Sequence, residues 1–216
     1  MQRMLASVKA AGVADLQVLQ AMAEVPREVF LAPTQAVHAY DDICLPIGEM
    51  QTISMPKVVA RMTELLEVKS DAKLLEIGTG CGYQTAILCK LARRVFTVER
   101  LENLSKNAVL RLQALGINNF SAKVADGTLG WDIQAPFDGI IVTAAGDKVP
   151  DALVKQLKDN GKLVIPVGPN EQSQRLLRVT KMADNRLVTE DFGPVAFVPL
   201  IGEQGVEKVK ASRRIG

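Results

Sequence analysis

Three glycines stand at alternate positions, Gly78, Gly80 and Gly82, between an apolar run at 73–77 and a segment with helical spacing at 85–91. This order predicts a strand, a tight turn and a helix. Glycine adopts a positive φ readily and has no Cβ, so the backbone of such a turn can come close to a bound ligand. The pattern favours a nucleotide-binding turn, although a plain strand-to-helix connection has the same signature.

Tyr83 and Glu99 indicate which nucleotide the turn would bind. A dinucleotide-binding turn has its third glycine where this chain has Tyr83, so NAD fits less well. Glu99 ends a predicted second strand at 94–98, and a carboxylate there can accept hydrogen bonds from both ribose hydroxyls. The P-loop is excluded because no Gly-Lys-Ser/Thr follows the glycines. We therefore expect an adenosine-type ligand, for which S-adenosylmethionine is the best fit.

The elements that position these residues alternate between helix and strand from residue 56 to residue 166. This alternation is typical of a parallel, doubly wound α/β sheet, which binds ligands at the carboxyl ends of its strands. Strands are predicted at 73–77, 94–98, 120–124, 137–143 and 161–166, helices at 56–66, 101–115 and 150–157, and later strands at 176–180 and 187–189. The turns after the first three strands supply Gly78 to Gly82, Glu99 with Arg100, and Asp126 with Gly127. We expect these three clusters to face one crevice.

The N-terminal part of the chain is predicted to be helical and then irregular. Apolar spacing over 3–24 predicts two short helices, the second capped by Asp15, and Pro26 suits the first turn of a new element at 25–30. The stretch 46–48 is interpreted as irregular. Ser54 stands just before the helix at 56–66, so we interpret it either as a helix cap or as a group that does chemistry.

Composition bounds the class of protein. The 216 residues carry 48% hydrophobic and 23% charged side chains, which predicts one domain with a sizeable core. The net charge is +2 and the signs are interspersed, so neither a nucleic-acid partner nor a membrane partner is predicted. No leader segment and no membrane-spanning apolar run is recognised, and we expect a soluble, cytoplasmic protein. The polar end at 203–216, which includes Lys208, Lys210, Arg213 and Arg214, is predicted to be a flexible tail.

Cysteines and histidine restrict the possible chemistry further. Cys44, Cys81 and Cys89 form no Cys-x-x-Cys pair, so neither a disulfide framework nor a metal site is predicted, and a reducing compartment fits. His38 is the only histidine, and we interpret it as a surface residue or one satisfied by a partner. Ser-His-Asp and Cys-His catalysis are excluded unless His38 supplies the imidazole. An enzyme built on this chain must run chemistry that barely needs a general base.

Several short blocks of the chain resemble the protein-L-isoaspartate (D-aspartate) O-methyltransferase family, in the order of that family and over residues 15–201. The most specific are Gln-Thr-Ile-Ser at 51–54 and Phe-Val-Pro-Leu at 197–200, whereas the Gly-x-Gly turn belongs to most S-adenosylmethionine enzymes. The other blocks lie at 25–30, 45–48, 75–80, 82–85, 136–138 and 164–168.

The resemblance implies a fold and an activity. The fold is a Rossmann-like class I S-adenosylmethionine-dependent methyltransferase with an N-terminal helical segment and additional C-terminal strands. The activity is methylation of the free α-carboxylate of L-isoaspartyl and D-aspartyl residues in damaged proteins, whose ester closes to a succinimide that hydrolyses in part to normal aspartate. We expect one domain at 1–202, made of a helical and active-site loop segment at 1–55 and a core at 56–202, and a monomeric enzyme.

Carried over to matching positions, the site of the family falls on residues of three kinds. Ser54 would be the active-site hydroxyl, and Gln51, Thr52 and Ile53 would form the wall at the sulfonium end of the cofactor. The cofactor would also contact Gly78, Thr79, Gly80, Cys81, Glu99, Arg100, Asp126 and Gly127. The substrate would contact Ser54, Lys57, Val195, Phe197 and Val198, the last three through the backbone of the block 195–200.

Met50, Met55 and Lys57 depart from the pattern of the family, and Cys81 replaces a serine in the glycine turn. The cofactor half of the site therefore matches better than the substrate half, which leaves open another carboxylate or a small molecule as acceptor. A cofactor-binding paralogue without catalysis and an NAD-dependent oxidoreductase also stay open. The favoured chemistry suits the composition, because a carboxylate with a pKa of about 3.9 is ionised at neutral pH and needs no base. Alignment and exclusion of water would then carry catalysis.

Overall fold

The computed structural model describes residues 1–170 and 172–206. Helices α1 (Gln2–Ala10) and α2 (Leu16–Glu24) come first, and short 3-10 turns follow at Arg27–Phe30 and Ala36–His38. The predicted cap of α2 is confirmed. One carboxylate oxygen of Asp15 accepts hydrogen bonds from the backbone N–H groups of Gln17 and Val18, in the first turn of that helix, at 2.8 and 3.3 Å.

The stretch at 46–48 belongs to a hairpin, so the prediction of an irregular segment there is wrong. Strand β1 (Leu45–Gly48) pairs antiparallel with β2 (Gln51–Ile53). The turn residues Glu49 and Met50 have φ values of 51° and 54°, the left-handed conformations that a two-residue type I′ turn requires. Asn and Gly are the residues that normally signal this turn, so a Glu-Met pair gives no such signal.

Helices and strands then alternate as predicted. The elements are α3 (Pro56–Leu65), β3 (Lys73–Ile77), α4 (Tyr83–Leu91), β4 (Arg94–Glu99), α5 (Glu102–Ala114), β5 (Phe120–Val124), β6 (Phe137–Val142), α6 (Asp151–Lys155), β7 (Leu157–Val167), β8 (Arg175–Lys181) and β9 (Leu187–Pro194). Within the described residues, β3 to β9 form a seven-stranded sheet in the order β5-β4-β3-β6-β7-β8-β9. Strands β3 to β7 pair in parallel, and β8 and β9 are antiparallel to their neighbours. The predicted doubly wound α/β sheet with additional C-terminal strands is confirmed.

The winding of the sheet reverses between β3 and β6, which lie side by side at its centre. Leu75, Ile140 and Ile141 on these strands have no exposed surface, as expected for strands covered on both faces. Sheets of this kind bind ligands outside the carboxyl ends of the strands at such a reversal. The glycine turn that follows β3 lies at this point.

Helix α4 is covered on its outer side by the N-terminal segment. Its residues Tyr83 and Ile87 share a hydrophobic cluster with Leu19 and Met22 of α2 and with Ile53 of the hairpin. This packing explains why the first turns of α4 are buried all round rather than amphipathic. It also places the N-terminal segment directly beside the glycine turn.

Strand β7 begins at Leu157 rather than at residue 161, and α6 ends at Lys155, short of the predicted residue 157. A bulge sets Phe137 opposite Leu157 and Gly139 opposite Lys162, so β7 carries extra residues at its start. Those residues, 158–160, are polar and resemble a turn in sequence, which is why the strand pattern begins late.

The start of the predicted flexible tail is packed in the structure. Val206 is fully buried and donates its N–H to the carbonyl of Leu200 at 2.7 Å, so residues 203–206 belong to the folded body. The rest of that tail, 207–216 with its four basic residues, lies outside the described residues. None of the helices in the described ranges has the length and apolar character needed to cross a membrane.

Candidate active site

A crevice of about 560 Å³ lies outside the carboxyl ends of β3, β4 and β6. The hairpin covers one side of it, and residues 198–201 of the C-terminal segment cover the other. Of the residues predicted to form the site, those that line this first pocket are Gln51, Thr52, Gly78, Gly80, Glu99, Arg100, Gly127 and Val198. Residues from the turns after β3, β4 and β5 all line this pocket, as predicted from the topology, although Asp126, which was predicted together with Gly127, does not.

A second pocket, of about 450 Å³, adjoins the first. The two share lining residues in the hairpin, the glycine turn and the end of β6, so they form one continuous cleft. The predicted residues that line the second pocket are Thr52, Ile53, Ser54, Gly78, Thr79, Gly80 and Cys81. Glu99 thus lies at one end of the cleft and Ser54 at the other.

The glycine turn needs its glycines for two different reasons. Gly78 has a φ of +94°, and a Cβ there would lie 2.3 Å from the hydroxyl oxygen of Thr143. That hydroxyl donates to the carbonyl of Gly78 at 2.8 Å and so holds the turn against the end of β6. Gly80 has a φ of +55°, and a Cβ there would reach to 3.4 Å from Ile47 of the hairpin, narrowing the cleft.

Glu99 joins two turns at the end of β4. It is only 6% exposed; one carboxylate oxygen accepts the N–H of Gly80 at 2.9 Å and the other accepts the N–H of Leu101 at 3.0 Å. A carboxylate has about four lone-pair sites, so acceptor capacity remains for a ligand in the first pocket. The predicted contact with the ribose stays a prediction.

A buried hydroxyl network lies beneath the glycine turn. Glu76 is fully buried and accepts hydrogen bonds from the hydroxyls of Thr85 and Thr97 at 2.5 and 2.7 Å. Thr97 is in turn 2.6 Å from the hydroxyl of Thr79, which lines the second pocket. Burial raises the pKa of Glu76 to about 8. The hydrogen bonds from the two hydroxyls lower this pKa, and the negative charge of the neighbouring Glu99 raises it.

Ser54 is not the cap of helix α3. The N-cap residue of that helix is Met55, and Pro56 occupies its first turn, so Ser54 lies one residue outside it. The capping interpretation is therefore wrong. The residue lines the second pocket together with Cys81 and Tyr83, which leaves the chemical interpretation.

Some predicted residues do not line either pocket in the described part of the chain. The two carboxylate oxygens of Asp126 accept from Thr128 and from the N–H of Glu203 at 2.7 Å, so its side chain faces the C-terminal segment. Lys57 pairs with Asp42 at 2.8 Å. His38, the only histidine, pairs with Asp41 outside the cleft.

The C-terminal block is held by Gln174 rather than lying open along its length. The side-chain amide of Gln174 exchanges two hydrogen bonds with the backbone of Phe197, at 2.6 and 3.0 Å. The backbone carbonyl of Gln174 accepts the N–H of Val195 at 3.1 Å. Val198 is the member of the predicted substrate set from this block that lines the first pocket.

Sequence reasoning missed several residues of the cleft. Thr143 lines both pockets and stands at the end of the fourth predicted strand, where the rule that selected Glu99 would also have selected it. Tyr83 and Gln84 of α4 also line the second pocket; the sequence analysis used Tyr83 only as evidence against NAD, and Gln84 gave no signal of its own. Ile47 was missed because the hairpin was not predicted.

The chain is similar to known proteins over almost its whole length. The profile of the family described as protein-L-isoaspartate(D-aspartate) O-methyltransferase matches residues 1–205. The protein-L-isoaspartate O-methyltransferase of Geobacter metallireducens is 52% identical over 194 residues, which cover 90% of this chain and 89% of that protein. A solved structure named protein-L-isoaspartate O-methyltransferase has a TM-score of 0.83 at 29% identity, over 94% of this chain and 67% of that one.

A further crystal structure, from Plasmodium falciparum, is described as a protein-L-isoaspartate O-methyltransferase in complex with S-adenosyl-L-homocysteine. It has a TM-score of 0.77 at 25% identity and covers 92% of this chain and 97% of that one. The fold and the cleft together define a Rossmann-like class I methyltransferase. Within that class, the chain belongs to the protein-L-isoaspartate (D-aspartate) O-methyltransferase family.

Proposed function

We propose that this protein transfers a methyl group from S-adenosylmethionine to the free α-carboxylate of L-isoaspartyl and D-aspartyl residues in damaged proteins. The ester then closes to a succinimide, whose hydrolysis returns part of the material to normal aspartate. The observation that carries the proposal is the match of the family over residues 1–205, which includes both halves of the cleft. The enzyme is a protein-L-isoaspartate O-methyltransferase.

The residues of the first pocket suit S-adenosylmethionine, which supplies a methyl group on a positively charged sulfur. Glu99 offers a carboxylate where the ribose hydroxyls of an adenosine ligand would lie, and Gly78 and Gly80 present backbone without a Cβ. A side chain at Gly80 would extend toward Ile47 across the cleft and reduce the space for the ligand. We assign the remaining contacts to Arg100 and Gly127, which line the same pocket.

The second pocket suits a carboxylate acceptor. The hydroxyl of Ser54 would donate a hydrogen bond that orients the carboxylate without neutralising it. A carboxylate oxygen then forms the bond to the methyl carbon, while the methyl–sulfur bond breaks and its electron pair stays on sulfur. No proton has to be removed, because a carboxylate with a pKa of about 3.9 is already ionised. This agrees with a cleft that the only histidine, His38, does not line.

Further parts of the account are proposals on the substrate side. We propose that Val198, which lines the first pocket, guides the damaged peptide. The predicted backbone contacts of Val195 and Phe197 would have to displace Gln174, which already pairs with the N–H of Val195 and with both backbone groups of Phe197.

We also propose that Lys57, which forms an ion pair with Asp42, has at most a modest effect on the preference for residues that flank the damaged one. Asp126 would reach the cofactor only by turning from the N–H of Glu203. We also propose a cytoplasmic monomer that acts on proteins, since the charges show no nucleic-acid footprint.

The test follows an isoaspartyl peptide over time by chromatography, with the enzyme and S-adenosylmethionine. We expect the isoaspartyl peptide to be methylated, to pass through the succinimide and to accumulate the aspartyl form. The same incubation without S-adenosylmethionine is the control and should give no conversion. A peptide that stays isoaspartyl while the cofactor binds would contradict the proposal.

A further inference from the structure

Arg27 is a fully buried cation beside the cleft to which no role has been given so far. Its guanidinium donates from Nε to the carbonyl of Ala39 at 2.8 Å and from Nη2 to the carbonyl of Ser54 at 2.6 Å. Its plane lies over the ring of Tyr83, with Cζ 4.7 Å from the ring centroid. A buried charge is costly unless it is well paired. Nη1 of Arg27 is buried without a hydrogen-bond partner, so the contacts of Nε and Nη2 and the ring of Tyr83 are what offset the loss of hydration.

The three contacts of Arg27 connect the Ser54 backbone, the helix that follows the glycine turn, and the N-terminal segment. Ser54 lines the second pocket and is the proposed donor to the acceptor carboxylate. Tyr83 is the first residue of α4, directly after the glycine turn, and lines the same pocket. Ala39 belongs to the N-terminal segment that packs over α4. One rigid, planar side chain therefore fixes the Ser54 backbone relative to the glycine turn.

Lysine could not replace this arrangement. An ammonium group is a compact point charge on a flexible stem, whereas the guanidinium presents donors in a fixed fork and a flat face for stacking. A lysine at residue 27 would keep the positive charge but would not hold two carbonyls and an aromatic ring in one geometry. Charge and alignment can thus be separated by experiment.

We propose that Arg27 is a positioning residue for methyl transfer, which sets the place of Ser54 relative to the glycine turn through the Ser54 carbonyl. The proposal rests on the proposed function, since it assumes that Ser54 orients the acceptor. Arg27 itself does not touch the substrate. Its effect arises because the rate of methyl transfer depends steeply on how well the acceptor is aligned with the methyl–sulfur axis. A displacement of about 1 Å can lower that rate about a hundredfold.

The experiment is a double-mutant cycle with Arg27→Lys and Ser54→Ala, read as kcat on an isoaspartyl peptide. Each single variant is expected to lower kcat about tenfold or more. The double variant should be no slower than the worse single one, because Arg27 acts through Ser54. The affinity for S-adenosylhomocysteine should change less than about threefold in Arg27→Lys, a difference below 1 kcal/mol.

The matched control is Asn119→Ala. The side chain of Asn119 also donates to two carbonyls, those of Cys89 and Ala92 at 2.9 and 3.0 Å, but at the opposite end of α4. Its loss should lower the melting temperature and leave kcat unchanged. Arg27→Met is the second variant, since an apolar side chain of similar length buries no charge, although the carbonyls of Ala39 and Ser54 lose their donor.

The outcomes separate the two proposals. Losses in kcat that multiply in the double variant would overturn the positioning role. A failure of both Arg27 variants to fold would also overturn it, because Arg27 would then be required for the fold. A crystal structure of Arg27→Lys or Arg27→Met gives a readout without activity: Ser54 displaced supports the role, and Ser54 unmoved overturns it. A wild-type enzyme that methylates no isoaspartyl peptide would instead contradict the proposed function.

Discussion

Ser54 lines the second pocket, which we propose to hold the acceptor, and the structure separates two interpretations that the sequence left open. If Ser54 were a helix cap, replacing it would lower the stability of the protein. If its hydroxyl orients the acceptor, replacing it lowers the rate of methyl transfer instead. Since Met55 is the N-cap residue, we predict that Ser54→Ala keeps the melting temperature and lowers the rate on an isoaspartyl peptide tenfold to a hundredfold, or about 1.5–3 kcal/mol. Steady-state kinetics and a thermal melt check this. Ser70→Ala, outside the cleft, is the control, and an unchanged rate in Ser54→Ala would contradict the assignment.

Glu99 accepts two backbone N–H groups in the structure and is the proposed acceptor for the ribose hydroxyls, so its replacement should affect both stability and cofactor binding. We predict that Glu99→Ala weakens S-adenosylmethionine binding by about 1.5–3 kcal/mol, the scale of hydrogen bonds to a charged group. The melting temperature should also fall, because the N–H groups of Gly80 and Leu101 lose their acceptor. Calorimetry measures the affinity. Glu102→Ala, an exposed carboxylate paired with Lys106, is the matched control, and equal affinities in the two variants would rule out the ribose contact.

Glu76 makes stability depend on pH in a defined direction. Its pKa is about 8 in the folded state and has its ordinary value of 4.5 in the unfolded chain, so between these values the folded state holds the extra proton. The contribution of Glu76 to the free energy of unfolding is fully present below pH 4.5. It falls as pH rises toward 8, by at most about 1.4 kcal/mol per pH unit. Glu76→Gln mimics the protonated form and removes this slope.

Urea unfolding of the wild type and Glu76→Gln between about pH 5 and pH 8 measures the difference. We expect the variant to gain on the wild type as pH rises, because only the wild type has a group at residue 76 that ionises. The amide oxygen of the glutamine can still accept from Thr85 and Thr97. Parallel stability curves would mean that Glu76 is already ionised at neutral pH in the folded protein.

At the scale of elements, the parts that could be predicted are those with local signals. Alternation of helical and strand spacing gave the sheet, and the strand-end rule brought Gly78, Glu99 and Gly127 together. The parts that could not be predicted depend on partners distant in sequence. Asp126 was expected to face the cofactor, but one of its carboxylate oxygens accepts from Thr128. The other accepts the N–H of Glu203, a contact distant in sequence that no local pattern reveals.

The hairpin is the element that sequence reasoning missed, and its turn can be tested. We predict that Met50→Gly stabilises the protein by up to about 1 kcal/mol, because glycine has no penalty in the left-handed conformation that Met50 adopts. Met50→Ala is the control, since it removes the exposed side chain and keeps the backbone penalty. Chemical denaturation measures both, and a glycine variant no more stable than the alanine variant would show that the turn is unstrained.

At the scale of the whole molecule, the N-terminal segment and the sheet meet over α4 and form the cleft between them. The first pocket depends on the strand ends, while the second depends on where the hairpin places Ser54. Arg27 lies at this junction and links the Ser54 carbonyl to the ring of Tyr83. The packing of the N-terminal segment therefore affects the geometry of the second pocket, although its helices supply no proposed reacting group.

The most direct test of the central claim is the initial rate of labelled methyl transfer from S-adenosylmethionine to two peptides. The peptides have the same sequence and differ only in an aspartyl or an isoaspartyl linkage at one residue. We expect rapid labelling of the isoaspartyl peptide, no labelling of the aspartyl peptide above background, and loss of most of the label with Ser54→Ala. Equal labelling of both peptides, or labelling of neither by an enzyme that binds the cofactor, would contradict the central claim.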